Sequence, residues 1–227
     1  MELVIASVLL GALAGYTIAE GVVSLVSYIN RKRRRFHYTC TEFKPLEQDQ
    51  KVIDRIRDCI RSHYRNDIAG VLLEMNGDER QEALRNLARD VAECMEIEEP
   101  EVVFQTSSEM GMGRQGAYRF LENKLYINID YVLVNDRDVL LDAADTVIHE
   151  MSHAYQDHKI EELLEMMSRG EDPELTDENM RTAEWMANMQ DYVTFDVDPA
   201  GYRYQPLELF AFGMAGMITA EFREVKG

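Results

Sequence analysis

The strongest periodic pattern in the chain lies near its middle. Apolar residues recur there at three- and four-residue steps, which is the spacing of one helix face, and no Gly or Pro lies between positions 139 and 160. The apolar positions are Leu140, Leu141, Ala144, Val147, Ile148, Met151 and Tyr155. This pattern predicts a long helix, hereafter the central helix.

Further helices are predicted on both sides of it. Residues 50–64 carry an apolar stripe, and Asp78 is placed to cap a helix that runs to about Met95. A helix over 177–191 follows a polar stretch interrupted by Gly and Pro. Pro206 is suited to the first position of a last helix, because its fixed φ matches the helix and its missing N–H is not needed there.

The period changes to two between Pro100 and the central helix, as it does in β-strands. Residues 102–104 predict one strand, and 107–116, with three glycines, predict a loop. Residues 118–120 and 125–129 then predict a hairpin. Helices around a small mixed sheet give the expected fold class, α+β.

The first 30 residues are apolar enough to cross a bilayer. Positions 3–19 contain no charged residue, and five basic residues occupy 31–35. A span requires about 20 apolar residues, and a basic flank marks the cytoplasmic side. We therefore expect a transmembrane anchor over 1–30 and a basic juxtamembrane connector over 31–49. A cleaved signal peptide is less favoured, because the chain start carries no Lys or Arg.

Composition narrows the function classes. The net charge of −18 argues against nucleic-acid binding, which requires a basic face. Cys40, Cys59 and Cys94 are widely spaced, so they suggest neither a disulfide framework nor a cysteine–zinc site and fit a reducing compartment. Gly11 and Gly15 have the spacing that lets two membrane helices pack closely, so a homodimer through the anchor is one expected association.

The central helix contains the motif H-E-x-x-H, at His149, Glu150 and His153. Positions i and i+4 share a helix face, so both imidazoles can reach one ion. Glu150 lies beside them, where its carboxylate can take a proton from a metal-activated water. The motif predicts a hydrolytic zinc site, against the competing interpretation of a surface helix with two accidental histidines.

A catalytic zinc site needs a third protein ligand. His158 falls five residues after His153, and Gln156 occupies the place where the three-histidine pattern has Gly. A later carboxylate is therefore expected. Glu208 has apolar neighbours, among which a charge requires a partner, whereas Glu184 is readily explained as a solvated carboxylate. We favour Glu208 and leave Glu184 open.

Residues 100–222 resemble a minimal gluzincin-type zinc metallopeptidase, similar to small zincin domains of bacterial and mobile-element proteins. Two segments carry the resemblance, the H-E-x-x-H helix and the later Tyr204-Gln205-Pro206-Leu207-Glu208. It implies a zincin-like peptidase fold in which Glu150 is the general base. The implied ligands of one Zn²⁺ per chain are His149, His153 and Glu208.

The domain expected from these patterns covers 50–227, with a helical lead-in over 50–99 and the zincin core over 100–222. In this fold class the second hairpin strand commonly presents an edge to an extended peptide, so 125–129 is expected either to hold substrate in that way or, just as plausibly, to be part of the core. Tyr192, Tyr202 and Tyr204 are candidate oxyanion donors by their closeness in sequence to Glu208.

The function predicted is a membrane-anchored zinc metallopeptidase, a hydrolase with its domain in the cytoplasm and a peptide or protein as substrate. The alternative is a membrane-anchored interaction protein whose zincin-like domain binds metal or peptide without catalysis. Glu150 separates the two, because a structural metal site has no need of a general base.

Overall fold

The structure, a computed structural model, describes residues 42–111 and 113–223. These residues form two compact units, one made of 42–157 and 210–223 and the other of 158–209. The anchor and most of the connector predicted from the sequence lie outside the described residues. No helix within the described part is both long and apolar enough to span a membrane.

The fold is α+β, mostly helical, with a small mixed sheet, as expected. In chain order its elements are α1 (Glu47–His63), α2 (Ile68–Glu74), α3 (Gly77–Met95), β1 (Glu101–Gln105), α4 (Ser107–Met110), β2 (Gly116–Arg119), β3 (Lys124–Asn128), α5 (Ile129–Val132), α6 (Arg137–Ser168), α7 (Asp177–Gln190), α8 (Pro199–Tyr204) and α9 (Pro206–Arg223). Helix α6 is the central helix of the sequence analysis.

The sheet has three strands in the order β1-β3-β2. β2 and β3 form the predicted antiparallel hairpin, with Tyr118 opposite Leu125, and β1 pairs with β3 in parallel. The backbone N–H and C=O groups on both sides of β3 are therefore hydrogen-bonded to neighbouring strands. The expectation that 125–129 offers a free edge is wrong, and the edges are β1 and β2.

The predicted helices are all present, with one difference in capping. The cap of α3 is Asn76, whose Oδ1 accepts from the backbone N–H groups of Asp78 (3.0 Å) and Glu79 (3.1 Å). The Glu79 carboxylate in turn accepts from the Asn76 N–H at 2.8 Å. Asp78 therefore lies inside the helix, because Asn76 and Glu79 together form a capping box that satisfies the first N–H groups.

Two short helices lie in segments where the sequence analysis predicts no helix. Within the predicted loop 107–116, α4 begins after Thr106, where the Glu109 carboxylate accepts from the Thr106 N–H at 2.8 Å. Helix α8 begins after Asp198, whose side chain accepts from the Ala200 N–H at 3.1 Å. Capping of this kind stabilises a helix of one or two turns. Such a helix is too short to show a hydrophobic period in the sequence.

Candidate metal centre

Helix α6 brings the two motif histidines onto one face. His149 and His153 are one turn apart, with ring centroids 4.9 Å apart and ring planes at 84°. His149 is 8 % exposed, and the neighbouring Ile148 and Met151 are fully buried. The buried apolar positions of the helix therefore fix the direction in which both imidazoles point.

Glu208 lies in the first turn of α9 and is 2 % exposed. Phe212 follows it by one turn on the same helix, and its ring lies 4.5 Å from the ring of His149, centroid to centroid. One ligand atom from each of His149, His153 and Glu208 lies within 4.8 Å of the other two. This largely buried group of two imidazoles and a carboxylate could hold a metal ion.

Gln156 orients one of the imidazoles. The Nδ1–H of His153 donates to the Gln156 side-chain oxygen at 2.8 Å, and Gln156 is fully buried. Because an amide oxygen only accepts, this bond makes Nε2 the nitrogen that carries the lone pair in the neutral imidazole. Such a partner fixes the tautomer of a metal-binding histidine. In the sequence, Gln156 drew notice only as a departure from the three-histidine pattern.

Tyr192 positions the carboxylate. Its hydroxyl donates to Glu208 Oε1 at 2.5 Å. Burial of the hydroxyl and the nearby charge of Glu208 raise the pKa of Tyr192 well above its usual value, so the group remains a donor at neutral pH. Tyr202 packs edge-on against Tyr192, with centroids 6.2 Å apart. In this arrangement Tyr192 orients Glu208, whereas the expectation for these tyrosines was an oxyanion donor.

A buried amide network holds the chain just before Glu208. The Gln205 oxygen accepts from Asn188 Nδ2 and from the Val193 N–H, both at 3.0 Å. Gln205 Nε2 donates to the Val193 carbonyl at 2.8 Å, and Asn188 Oδ1 accepts from the Leu207 N–H at 3.1 Å. These bonds tie the start of α9 to the end of α7. They explain why amides occupy positions 188 and 205, which periodicity could not indicate.

Glu150 lies against the start of the edge strand β2. It is 7 % exposed. A Cβ placed on Gly116 would lie 2.9 Å from Glu150 Cγ, 3.0 Å from its Oε1 and 2.5 Å from Thr146 Cγ2. The backbone of residue 116 comes so close to Thr146 and Glu150 that only glycine fits there. The absence of a side chain at this position leaves room for the Glu150 carboxylate.

The other sequence candidates lie outside this group. His158 Nε2 lies 3.4 Å from Glu162 Oε1, and Glu184 is half-buried on α7. Neither His158 nor Glu184 belongs to a set of convergent metal-ligating atoms among the described residues. Of the two carboxylates that the sequence left open, Glu208 is the one placed beside the motif histidines.

Comparison with known proteins returned no match among family models, curated proteins or solved structures. The likeness to gluzincins therefore rests on the two motifs and on the arrangement of their side chains. It stays a prediction, and the function has to be argued from the site.

Proposed function

We propose that this chain is a zinc-dependent metallopeptidase. One observation carries the proposal: His149, His153 and Glu208 converge in a largely buried position, and the remaining motif carboxylate, Glu150, lies beside an outer strand of the sheet. A structural metal site would explain the three convergent groups. It would not explain a fourth, buried acid at the neighbouring helix position.

The donor set suits zinc. Two imidazoles and one carboxylate are a known ligand set of catalytic Zn²⁺, and three protein donors leave one coordination position open. When bound, zinc supplies a Lewis acid that lowers the pKa of a water molecule toward about 7 and polarises a carbonyl group. His149, His153 and Glu208 would hold the ion, with Gln156 and Tyr192 fixing the orientation of two of them.

Glu150 would move the proton. As general base it accepts a proton from the attacking water, and as general acid it returns that proton to the departing amine of the cleaved peptide bond. Its side chain lies against the glycine that begins β2, and this neighbour limits the positions that the carboxylate can reach. A proton transfer is faster when the base is held in the reactive geometry than when it is free to move.

The edge strand β2 offers the place for a substrate. One side of β2 pairs with β3, while its other side is a sheet edge. An extended peptide can add to such an edge through main-chain hydrogen bonds. Because β2 begins at Gly116, beside Glu150, a peptide aligned there would carry its main chain past the general base.

The predicted anchor over 1–30 completes the proposal. It would tether the peptidase domain to a membrane, with the basic residues 31–35 and the domain on the cytoplasmic side. The second candidate function remains an anchored interaction protein, which would share the metal group and need no proton transfer.

Four forms of the full chain test the proposal: the wild type, Glu150→Gln, His149→Ala and Glu184→Ala. Each is purified, loaded with zinc and incubated with a peptide library, and new termini are identified by mass spectrometry. We expect Glu150→Gln to keep its metal and lose roughly 10²–10⁴-fold in cleavage rate, the usual contribution of a general base. His149→Ala should lose cleavage and should hold one zinc ion per chain fewer than the wild type.

Glu184→Ala is the matched control, since it removes a carboxylate from α7 and should change neither metal content nor cleavage. Cleavage by Glu150→Gln at the wild-type rate would contradict the proposed mechanism. Zinc binding without any cleavage by the wild type would favour the interaction protein.

A further inference from the structure

A second group of metal-ligating side chains lies between α1 and α3. Two contacts show that these helices run antiparallel. Arg55, in the middle of α1, pairs with Glu96 just beyond the end of α3 at 2.6 Å, whereas the hydroxyl of Tyr64, just beyond the end of α1, donates to the Ala83 carbonyl in the first half of α3 at 2.9 Å. The last turn of α1 therefore faces the second half of α3, and the group forms at this crossing.

Each helix contributes a pair of donors one turn apart. Cys59 and His63 lie on α1, while Asp90 and Cys94 lie on α3. His63 Nδ1 is 2.7 Å from Asp90 Oδ2 and 3.6 Å from Cys59 Sγ. One ligand atom from each of Cys59, His63 and Asp90 lies within 4.8 Å of the other two. Cys94 lies one turn after Asp90 on the same face of α3, as Cys59 lies one turn before His63 on α1, and this position makes it the candidate fourth donor.

The electrostatics of the group favour a cation. The Asp90 side chain is only 11 % exposed, so its charge is weakly screened by water. A divalent ion would be attracted to this negative potential and would stabilise the thiolates that it binds.

We propose that Cys59, His63, Asp90 and Cys94 form a second zinc site, which cross-links α1 to α3. Thiolate and imidazole donors suit zinc, whereas Mg²⁺ and Ca²⁺ prefer oxygen ligands. Four protein donors complete a tetrahedral shell and leave no position for water, which is the arrangement of structural sites. This site is therefore independent of the proposed peptidase centre in both location and role.

The distances are compatible with one ion. Zinc bonds of about 2.0–2.3 Å require donors about 3.3–3.8 Å apart in a tetrahedron. The 3.6 Å between Cys59 Sγ and His63 Nδ1 lies in that range. The shorter contact between His63 and Asp90 is a direct hydrogen bond, which coordination of both groups to a metal would replace. His63 is half exposed, so its ring has room to move outward.

Cobalt(II) provides a selective probe, because a cobalt–thiolate bond gives an intense near-ultraviolet charge-transfer absorption. The group of His149, His153 and Glu208 contains no sulfur, so this absorption reports only the second site. The full chain is used reduced and with Cys40→Ser, which removes the thiol outside the described residues. Cobalt is titrated into this background and into three further variants, Cys59→Ser, Cys94→Ser and His149→Ala.

We expect the absorption in the background and in His149→Ala, and its loss in Cys59→Ser. Cys94→Ser should only lower its intensity, because Cys59, His63 and Asp90 remain as three convergent donors, whereas Cys59→Ser leaves no such group to bind cobalt. Bound zinc should fall by one ion per chain in Cys59→Ser. Absence of the absorption from the background protein, or its persistence in Cys59→Ser, would overturn the proposal. Either result leaves the peptidase proposal untouched, since that is tested by His149→Ala.

Thermal unfolding keeps the test valid if a cysteine variant folds poorly. Zinc should raise the melting temperature of His149→Ala, because a ligand that binds only the folded state stabilises it. The same zinc concentration should give no rise in the double variant with Cys59→Ser. An equal rise in both variants would contradict a site at the α1–α3 crossing.

Discussion

At the scale of single residues, the three side chains that converge could be predicted from the sequence, and the side chains that contact them could not. The role of Glu150 as general base stays a prediction. H-E-x-x-H is a local pattern, and Glu208 stood out because a carboxylate among apolar neighbours requires a partner. Gln156, Tyr192 and Asn188 act through contacts set by the fold. In the sequence, polar residues with such roles resemble any others, because their partners lie on other turns or other helices.

Gln156→Leu tests the role of the buried amide beside His153. Loss of the acceptor leaves the Nδ1–H unsatisfied and the ring free to turn, so affinity for zinc should fall about 10–100-fold. Competition with a chromophoric chelator measures the change. Gln156→Glu keeps an acceptor and should restore most of the affinity. Wild-type affinity in Gln156→Leu would show that the amide does not orient the ligand.

Arg80 is a second residue whose role the sequence concealed. It is 5 % exposed, and its guanidinium donates at 2.8 Å to the Leu72 carbonyl and at 2.8 Å to Asn135 Oδ1. It also donates to the Val132 and Val134 carbonyls at 3.2 and 3.1 Å. It therefore joins the end of α2 to the segment that leads into α6.

Arg80→Lys should lower the free energy of unfolding by at least about 2 kcal/mol, since an ammonium cannot reach these acceptors together. Arg89→Lys, an exposed position on the same helix, should change it by less than about 0.5 kcal/mol. Urea unfolding of both variants measures the difference. Equal stability of the two variants would show that the hydrogen bonds of the Arg80 guanidinium contribute little to the free energy of unfolding.

At the scale of elements, periodicity located every long helix and the hairpin. The order of the strands could not be predicted in this way, because nothing in the three short patterns states which strand lies in the middle. That order matters here, because it makes β2, and not β3, an outer strand of the sheet, and β2 begins beside Glu150. The cap at Asn76 was missed for a local reason, since Asp78 is an equally good capping residue by type.

Gly116→Ala tests the close approach of β2 to α6. The added methyl would crowd Thr146 and the Glu150 side chain, so cleavage should fall by at least about tenfold, the effect of a small displacement at a reacting group. Zinc content should remain that of the wild type, because Glu150 is not a ligand. Ala117→Ser, the next position in β2, is the control and should cleave normally. A loss of zinc in Gly116→Ala would mean that the contact supports the ligands instead.

Helix α9 offers a matched pair of glycines. A Cβ at Gly213 would overlap the Phe43 ring, whereas a Cβ at Gly216 meets nothing within 4 Å. Gly213→Ala should therefore destabilise by about 1–3 kcal/mol, and Gly216→Ala should stabilise by about 0.5–1 kcal/mol through helix propensity. In melting curves the two should move in opposite directions. Movement in the same direction would contradict the packing of Phe43 against α9.

At the scale of the whole molecule, the described residues contain two groups of convergent donors. One has three donors without sulfur beside a buried acid, and the other has a thiol, an imidazole and a carboxylate, with Cys94 one turn from that carboxylate. The first was expected from a motif within one helix. The second was not, since its donors form i, i+4 pairs on two helices and carry no C-x-x-C spacing. Only the antiparallel crossing of α1 and α3 brings them together.

The most direct measurement is the zinc content of the full chain, by elemental analysis, for the wild type and three variants. His149→Ala and Glu208→Ala should each hold one zinc ion fewer than the wild type, and Glu184→Ala should hold the same number. This difference does not depend on whether the thiol site is also occupied. An unchanged zinc content in His149→Ala and Glu208→Ala would contradict the central claim that these side chains bind the metal.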